Sequence, residues 1–550
     1  MMFFHVFFIK FFKFTCTCEK YLVTLHPILL KWVSMRKFGL LLMLVMALPM
    51  VAQRDAFEQF RQQQSAQFNQ FRDDQQEQYD LFRQQTNARY AEFMRQAWAE
   101  FPVNAPDLPE PEPLVAPVLY DEPDGPFDTE EAVESAEPEH STNAAGTASQ
   151  PAKYVFREIR IDPSVVVVPT PTPSPDPIAP VKTKPTVSET VQVTYYGRPV
   201  ALEFPKPENL TISTNSEEAL ADAWTVLSGK AYDITVKSAL DLRQQYDLCD
   251  WAYMDALRAL TEKHYGATNE AVLVQAFLMT QSGYRVRLAK AGDKLYMLVA
   301  SKYQIYNMRY LKSDGMKFYV TGDYHGEKLH MCPAAWDKEQ SLSMQLAELP
   351  ALGDNPTQKR KLTSKKGVTT SVSVNKYLID FFRQYPQANI DGDFTTRWAA
   401  YANTPLDQSI QDELYPVLQQ TVSRMNEYEA VNILLNWVQT AFKYGYDDQI
   451  WGGDRAFFAQ ETLYYPQSDC EDRSILFTRL VRDILGLDAA LLYYPGHLAA
   501  AVSFKGQQEG DWFMANGRRY IVCDPTYINA PVGMTMPGME EKTPKVIILK

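Results

Sequence analysis

The chain has 550 residues, 46% hydrophobic and 22% charged, with six cysteines and a net charge of −13. That length allows two or three domains with sizeable cores, and the composition excludes a wholly disordered or collagen-like chain. The acidic balance excludes a nucleic-acid binder, which needs a basic face, and so few cysteines exclude a disulfide scaffold.

Residues 35–52, MRKFGLLLMLVMALPMVA, place Arg36 and Lys37 before an apolar run that ends in a small residue ahead of Gln53. This is the layout of a secretory signal, so residues 1–52 are expected to be a leader whose true start is Met35. Met50, three residues before the cut, is larger than cleavage sites prefer, and an uncleaved membrane anchor is the alternative. The preceding MMFFHVFFIKFFKF is broken by Lys10 and Lys13 and is too short to span a bilayer. No cysteine directly follows the apolar run, so a lipid anchor is not indicated. The mature chain is expected to be exported, periplasmic or associated with the cell envelope. Loss of the leader's six basic residues and one acidic residue takes its charge to −18.

Residues 53–100 carry a repeat. Phe57, Phe68, Tyr79 and Tyr90 recur every eleven residues, as do Phe60, Phe71, Phe82 and Phe93, with Arg61, Arg72 and Arg83 in the same frame. Eleven residues make three helical turns, so the aromatics form a nearly straight stripe on one helix. So narrow a stripe needs a partner. Self-association into a right-handed coiled coil is the plain reading, and docking on another envelope component or a membrane face is the other.

Residues 101–186 read as an acidic, Pro-rich linker. Positions 101–150 hold twelve acids, nine prolines and no Lys or Arg, and PTPTPSPDPIAP follows at 169–180. A spacer is expected, with a short strand at 154–161.

The globular part begins near Val187. In residues 187–350, VQVTYYGRPVALEF predicts a hairpin turning at Gly197, followed by helices at 217–227, 239–245 and 250–263. NEAVLVQAFLMTQSGYRVRLAKAGDKLYMLVA then reads as helix, glycine stop, strand, turn and strand. In residues 351–550, helices return in NKYLIDFFRQY, QSIQDELYPVLQQTVSRM and EAVNILLNWVQTAFKY.

The chemistry concentrates in residues 466–530. Ser468 and Asp469 are both good N-caps, and Glu471, three residues after Ser468, makes a capping box with it. Cys470 therefore sits at a helix N-terminus, where unpaired N–H groups and the helix dipole favour a thiolate. Gly486 ends that helix. LDAALLYYP and HLAAAVSF are paired strands across a PG turn, the second opening with His497, and RRYIVCDPTY is a third strand ending in Asp524. His497 is the only histidine after His330. Each step, Cys470 to His497 and His497 to Asp524, is 27 residues, which lets one helix end and two strand ends converge.

At these residues the chain resembles the transglutaminase-like superfamily, whose motifs DCEDRS, PGHLAAAV and CDPTY match in order. LLNWVQTAFKYGYDD, just upstream, looks like the extracytoplasmic bacterial members. The resemblance covers roughly 375–539 and implies a papain-like domain with Cys470 as nucleophile, His497 as base and acid, and Asp524 orienting the imidazole. Leu498-Ala499 departs from the Ala-Trp that many relatives carry after the histidine. The fold class expected is α+β, with a papain-like C-terminal domain and a second α+β domain before it. No cofactor and no metal are implied, and the partner is a peptide or protein substrate.

Other readings stay open. Cys470 could pair with Cys523, or Cys249 with Cys332, although strand alternation turns Cys523 away from Asp524. A zinc site from Cys470, His497, Cys523 and Asp524 lacks a short ligand pair. An intact triad could also bind peptides without turnover, which would make the chain an envelope adaptor instead of a hydrolase or transglutaminase. Finally, laying 267–299 on 470–502 without gaps pairs Gly283 with Gly486 and Leu298-Val299 with Ala501-Val502. In that frame 187–350 is a degenerate copy, with Ala267 at the nucleophile position and Lys294 at the histidine.

Overall fold

A computed structural model describes residues 35–109, 115–120, 154–183, 187–336 and 338–550. The expected leader up to residue 34 lies outside them. Helix α1 (Met35–Met94) continues from the apolar run at 38–52 through the eleven-residue repeat. Among the described residues, no helix is long and apolar enough to cross a membrane. The chain divides into two compact units, the first ending at Gln78 and the second spanning 79–550. In the first, Phe68 and Phe71 stand exposed on α1.

The second unit is mixed helix and strand, an α+β arrangement in which helices pack on two six-stranded sheets. Its first three strands come from the proline-rich region: β1 (Ala99–Pro102), β2 (Val118–Leu119) and β3 (Val166–Val167). The spacer expected over 101–186 therefore differs from what its described residues do. β1 and β3 lie at the outer edges of the two sheets. Short apolar runs between prolines fit there, because an edge strand tolerates a missing N–H.

Next come the hairpin β4 (Ser188–Tyr195) and β5 (Arg198–Pro205), turning at Tyr196-Gly197 with both residues at positive φ. Helices α2 (Glu217–Leu227), α3 (Asp233–Gln245), α4 (Asp250–Tyr265) and α5 (Asn269–Gln281) follow. Then β6 (Val286–Ala291), β7 (Lys294–Ser301), β8 (Tyr303–Ile305), β9 (Tyr310–Ser313), β10 (Met316–Val320) and β11 (Lys328–Met331) complete the first half.

The second half opens with the hairpin β12 (Arg360–Thr363) and β13 (Thr369–Val372) and helix α6 (Lys376–Gln384). After it come β14 (Ala388–Ile390), paired with β8, then α7 (Thr396–Asn403), α8 (Gln408–Val422) and α9 (Glu427–Thr440). Short elements lead to the site: β15 (Lys443–Tyr444), α10 (Asp447–Ile450), α11 (Ala459–Tyr464) and β16 (Gln467–Ser468). Last are α12 (Cys470–Leu480), β17 (Asp488–Tyr494), β18 (His497–Ser503), β19 (Trp512–Ala515), β20 (Arg518–Cys523), β21 (Tyr527–Ile528) and β22 (Lys545–Ile548). One continuous apolar core joins the two halves, including Tyr253 and Phe277 from the first and Phe381, Trp437 and Ile475 from the second.

The two sheets repeat one layout. Their orders are β1-β11-β6-β7-β10-β9 and β3-β22-β17-β18-β20-β19, and the last five strands of each are antiparallel throughout. α5 packs on β6 and β7 as α12 packs on β17 and β18. Gly283 and Gly486 both take positive φ after their helices, a conformation an L side chain resists. β7 opens at Lys294 as β18 opens at His497. Val320 lies opposite Leu298 as Val522 lies opposite Ala501, so Gly322 falls where Asp524 stands. The first half thus carries Ala267, Lys294 and Gly322 where the second carries Cys470, His497 and Asp524.

Candidate functional site

Cys470 is the first residue of α12. The N-cap is Asp469, not Ser468, and the capping box closes with Asp472, not Glu471: Asp469 accepts from the Asp472 N–H and Asp472 from the Asp469 N–H. Adjacent residues can both cap a helix, and the choice depends on which has extended backbone at the bend. Here Ser468 is taken by β16, which pairs in parallel with β15. Burial holds both Asp469 and Asp472 well above the usual carboxylate range.

One turn along α12, the Ser474 hydroxyl donates to the Leu498 carbonyl at 2.9 Å. Residues four apart share a helix face, so Cys470 lies on the face of α12 that packs on β18, the strand that His497 opens. His497 is buried, and its Nε2 lies 2.8 Å from Asp524 Oδ2. Asp524 follows the last residue of β20, and its Oδ1 accepts from the N–H groups of Thr526 at 2.8 Å and Tyr527 at 3.2 Å. With Nε2–H given to the carboxylate, the imidazole carries its lone pair on Nδ1. That nitrogen is buried with no hydrogen-bond partner among the described residues.

Sequence reasoning missed the second layer. Gln439 Nε2 donates to the carbonyls of Asp524, Tyr527 and Ala530, and so fixes the loop that carries the carboxylate. Arg473 is fully buried, donating to the carbonyls of Gln439 and Phe442 and to the Ser468 hydroxyl. Burial lowers it to about 10, so it still brings a positive charge beside Cys470 at neutral pH. Tyr444 lies opposite Ser468 in the β15–β16 pair, under the Arg473 guanidinium at 5.3 Å. Burial first, and then Cys470, hold its phenol protonated. In sequence these are ordinary helix and strand residues, and nothing in their spacing sets them apart.

Cys249, Cys332, Cys470 and Cys523 are not disulfide-bonded, so neither disulfide alternative forms. Cys523 faces into the core, its Sγ directed at the Ile521 carbonyl. Among the described residues, the cluster able to hold a metal is Asp447, Asp469 and Glu471, with ligand atoms within 4.8 Å of one another. It differs from the zinc set weighed above, and Cys470 Sγ donates to its Glu471 at 3.3 Å.

A cavity of about 480 Å³ lies elsewhere, lined by Trp251, Arg258, Tyr306, Arg383, Arg455 and Glu461 among others and by none of the three chemical residues. Glu461 is buried against Arg455 at 2.6 Å, and desolvation pushes it up to about 7. A carboxyl raised from 4.5 to about 7 stabilises the fold below its unfolded value and loses that contribution as pH rises through 7. The full loss is roughly 3 kcal/mol. Urea midpoints are therefore expected to fall between about pH 4.5 and about pH 7, and Glu461→Gln is expected to flatten that fall.

No family model matches the chain, and neither a curated protein nor a solved structure matches it.

Proposed function

We propose that the second half of the chain is a cysteine acyl-transfer enzyme of transglutaminase-like, papain-like type, acting on peptide or protein amides. The observation that carries this reading is the buried His497–Asp524 pair with Nδ1 unpartnered, on the strand against which α12, opened by Cys470, packs. In the reaction, the Cys470 thiol gives its proton to His497 Nδ1 and the sulfur attacks the amide carbonyl. The imidazolium, steadied by Asp524, returns the proton to the leaving amine as the C–N bond breaks. A thioester remains, resolved by water or by a second amine. The Cys470 N–H in the first turn of α12 is one donor for the oxyanion. The enzyme is proposed to be exported, with the exposed Phe68, Phe71, Tyr79 and Phe82 serving self-association or an envelope partner.

Iodoacetamide labelling tests the nucleophile. Burial pushes Cys249 and Cys332 up to about 12 and holds Cys523 well above the thiol range. At about pH 6, label is expected on Cys470 before the other three. Equal slow labelling of all four, read by peptide mass spectrometry, would defeat the reading.

A further inference from the structure

Residues 115–120 run between the two flanks of the cysteine site. On one flank, β15 lies beside β16, which leads directly into Cys470, and the Tyr444 hydroxyl donates to the Val115 carbonyl at 3.0 Å. On the other, β21 begins three residues after Asp524, with the Tyr527 N–H bound to that carboxylate. β2 pairs in parallel with β21, Val118 opposite Tyr527 and Leu119 opposite Ile528. The Tyr120 N–H donates to the Ile528 carbonyl at 2.8 Å, and the Tyr120 ring meets Tyr527 edge-on at 5.7 Å. Three extended residues, about 10 Å of chain, take the strap from the nucleophile's flank to the carboxylate's flank.

The way the strap is held resembles how a sheet edge captures a peptide. Its sequence, Val-Ala-Pro-Val-Leu-Tyr, carries no charge, and its polar contacts to both flanks run through its backbone. Strand addition of this kind takes affinity from main-chain hydrogen bonds and leaves side chains to set preference. The hold is also slight, a ladder two residues long with Ala116 and Leu119 exposed, which suits a segment that must yield. Cys470 and His497, between those flanks in the sequence, are both buried.

We propose that the groove between Tyr444 and β21 is the subsite for an extended, uncharged, apolar peptide, and that residues 115–120 occupy it as an intrachain competitor. This rests on the acyl-transfer reading of the same site. A tethered segment acts at an effective concentration of about 1 mM, so even a weak peptide site of roughly 100 μM is protected about tenfold.

The test uses the full chain and the rate at which iodoacetamide alkylates Cys470. Replacing 115–120 by alternating Gly and Ser is expected to raise that rate about tenfold. Acetyl-VAPVLY-amide added to the replaced chain is expected to slow it again, while acetyl-DAPDLE-amide has no effect. Tyr120→Ala, which removes only the ring contact with Tyr527, is expected to give a smaller rise and keeps the test open if the replacement fails to fold. Rates that neither variant changes and no peptide slows would overturn the proposal, and the acyl-transfer reading would stand if His497→Ala still shifts the pH profile of labelling. A profile indifferent to His497→Ala would instead defeat the acyl-transfer reading itself.

Discussion

Cys470→Ala is expected to abolish thioester formation with an activated peptide ester, and His497→Ala to lower turnover by several orders of magnitude while moving labelling to higher pH. Asp524→Asn is the more instructive change. Oδ1 of Asp524 accepts from two backbone N–H groups, so an asparagine there would keep its oxygen on that side and turn its amide N–H toward His497. Nε2 would then have to accept, which moves the ring proton to Nδ1, the edge that must receive the thiol proton. The loss is expected to be about 10²–10⁴-fold in turnover, with little change in stability, because size and backbone bonds are kept. Comparison of the variants at matched thermal stability checks it. Neighbouring acids provide the control: Asp511 is fixed by Tyr154, Thr535 and the Arg157 N–H, and Asp472 caps α12 and accepts from the Phe457 N–H. If Asp524→Asn turns over like wild type while either of those proves essential, the third member of the triad is misassigned.

The elements that position this site are those with strong local punctuation. β18 begins at His497 because the Pro-Gly pair before it forces the turn, and the wider helical turn Val481–Leu485 that continues α12 stops at Gly486, which takes positive φ. β20 stops at Cys523, one residue earlier than the sequence reading, because Asp524 gives its side chain to the loop and Pro525 has no N–H for a ladder. The cap at Asp469 instead of Ser468 was not readable, since β16 claims Ser468 through a pairing with a strand over twenty residues away. Nor were the roles of 99–102, 115–120 and 166–167. A ladder two to four residues long has no period to detect, and prolines with acids between them outweigh a few valines in any composition window. The repeat of sheet layout was half legible: the gapless frame found the helix, the glycine and the hairpin, but the Gly322 position needed the strand register.

Tyr90→Ala is expected to destabilise the second unit by about 3–5 kcal/mol, the range for deleting a buried aromatic. The eleven-residue frame treats Tyr90 as one more member of the stripe, yet it is buried. Its ring stacks on Trp224 at 4.3 Å and on Trp336 at 5.0 Å. The same face of α1 carries the rest of a clasp. Arg83 meets Asp233 at 2.5 Å, Asn87 and Gln281 exchange amide hydrogen bonds in the interior, and Met94 is fully buried. Residues 83, 87, 90 and 94 advance by four, three and four, so one helix stripe serves every contact. Tyr90 therefore differs from its repeat mates through what it faces, not through its own chemistry. Phe71→Ala, at a position 62% exposed in the first unit, is expected to leave the second unit's unfolding midpoint unchanged and to alter only association. Guanidinium unfolding of both variants, followed by tryptophan fluorescence, separates the two cases, because Trp224 and Trp336 report on the Tyr90 stack directly. An unchanged midpoint for Tyr90→Ala would mean that the last turns of α1 are not part of the cooperative unit, and the clasp would then contribute nothing to holding the first half of the chain together.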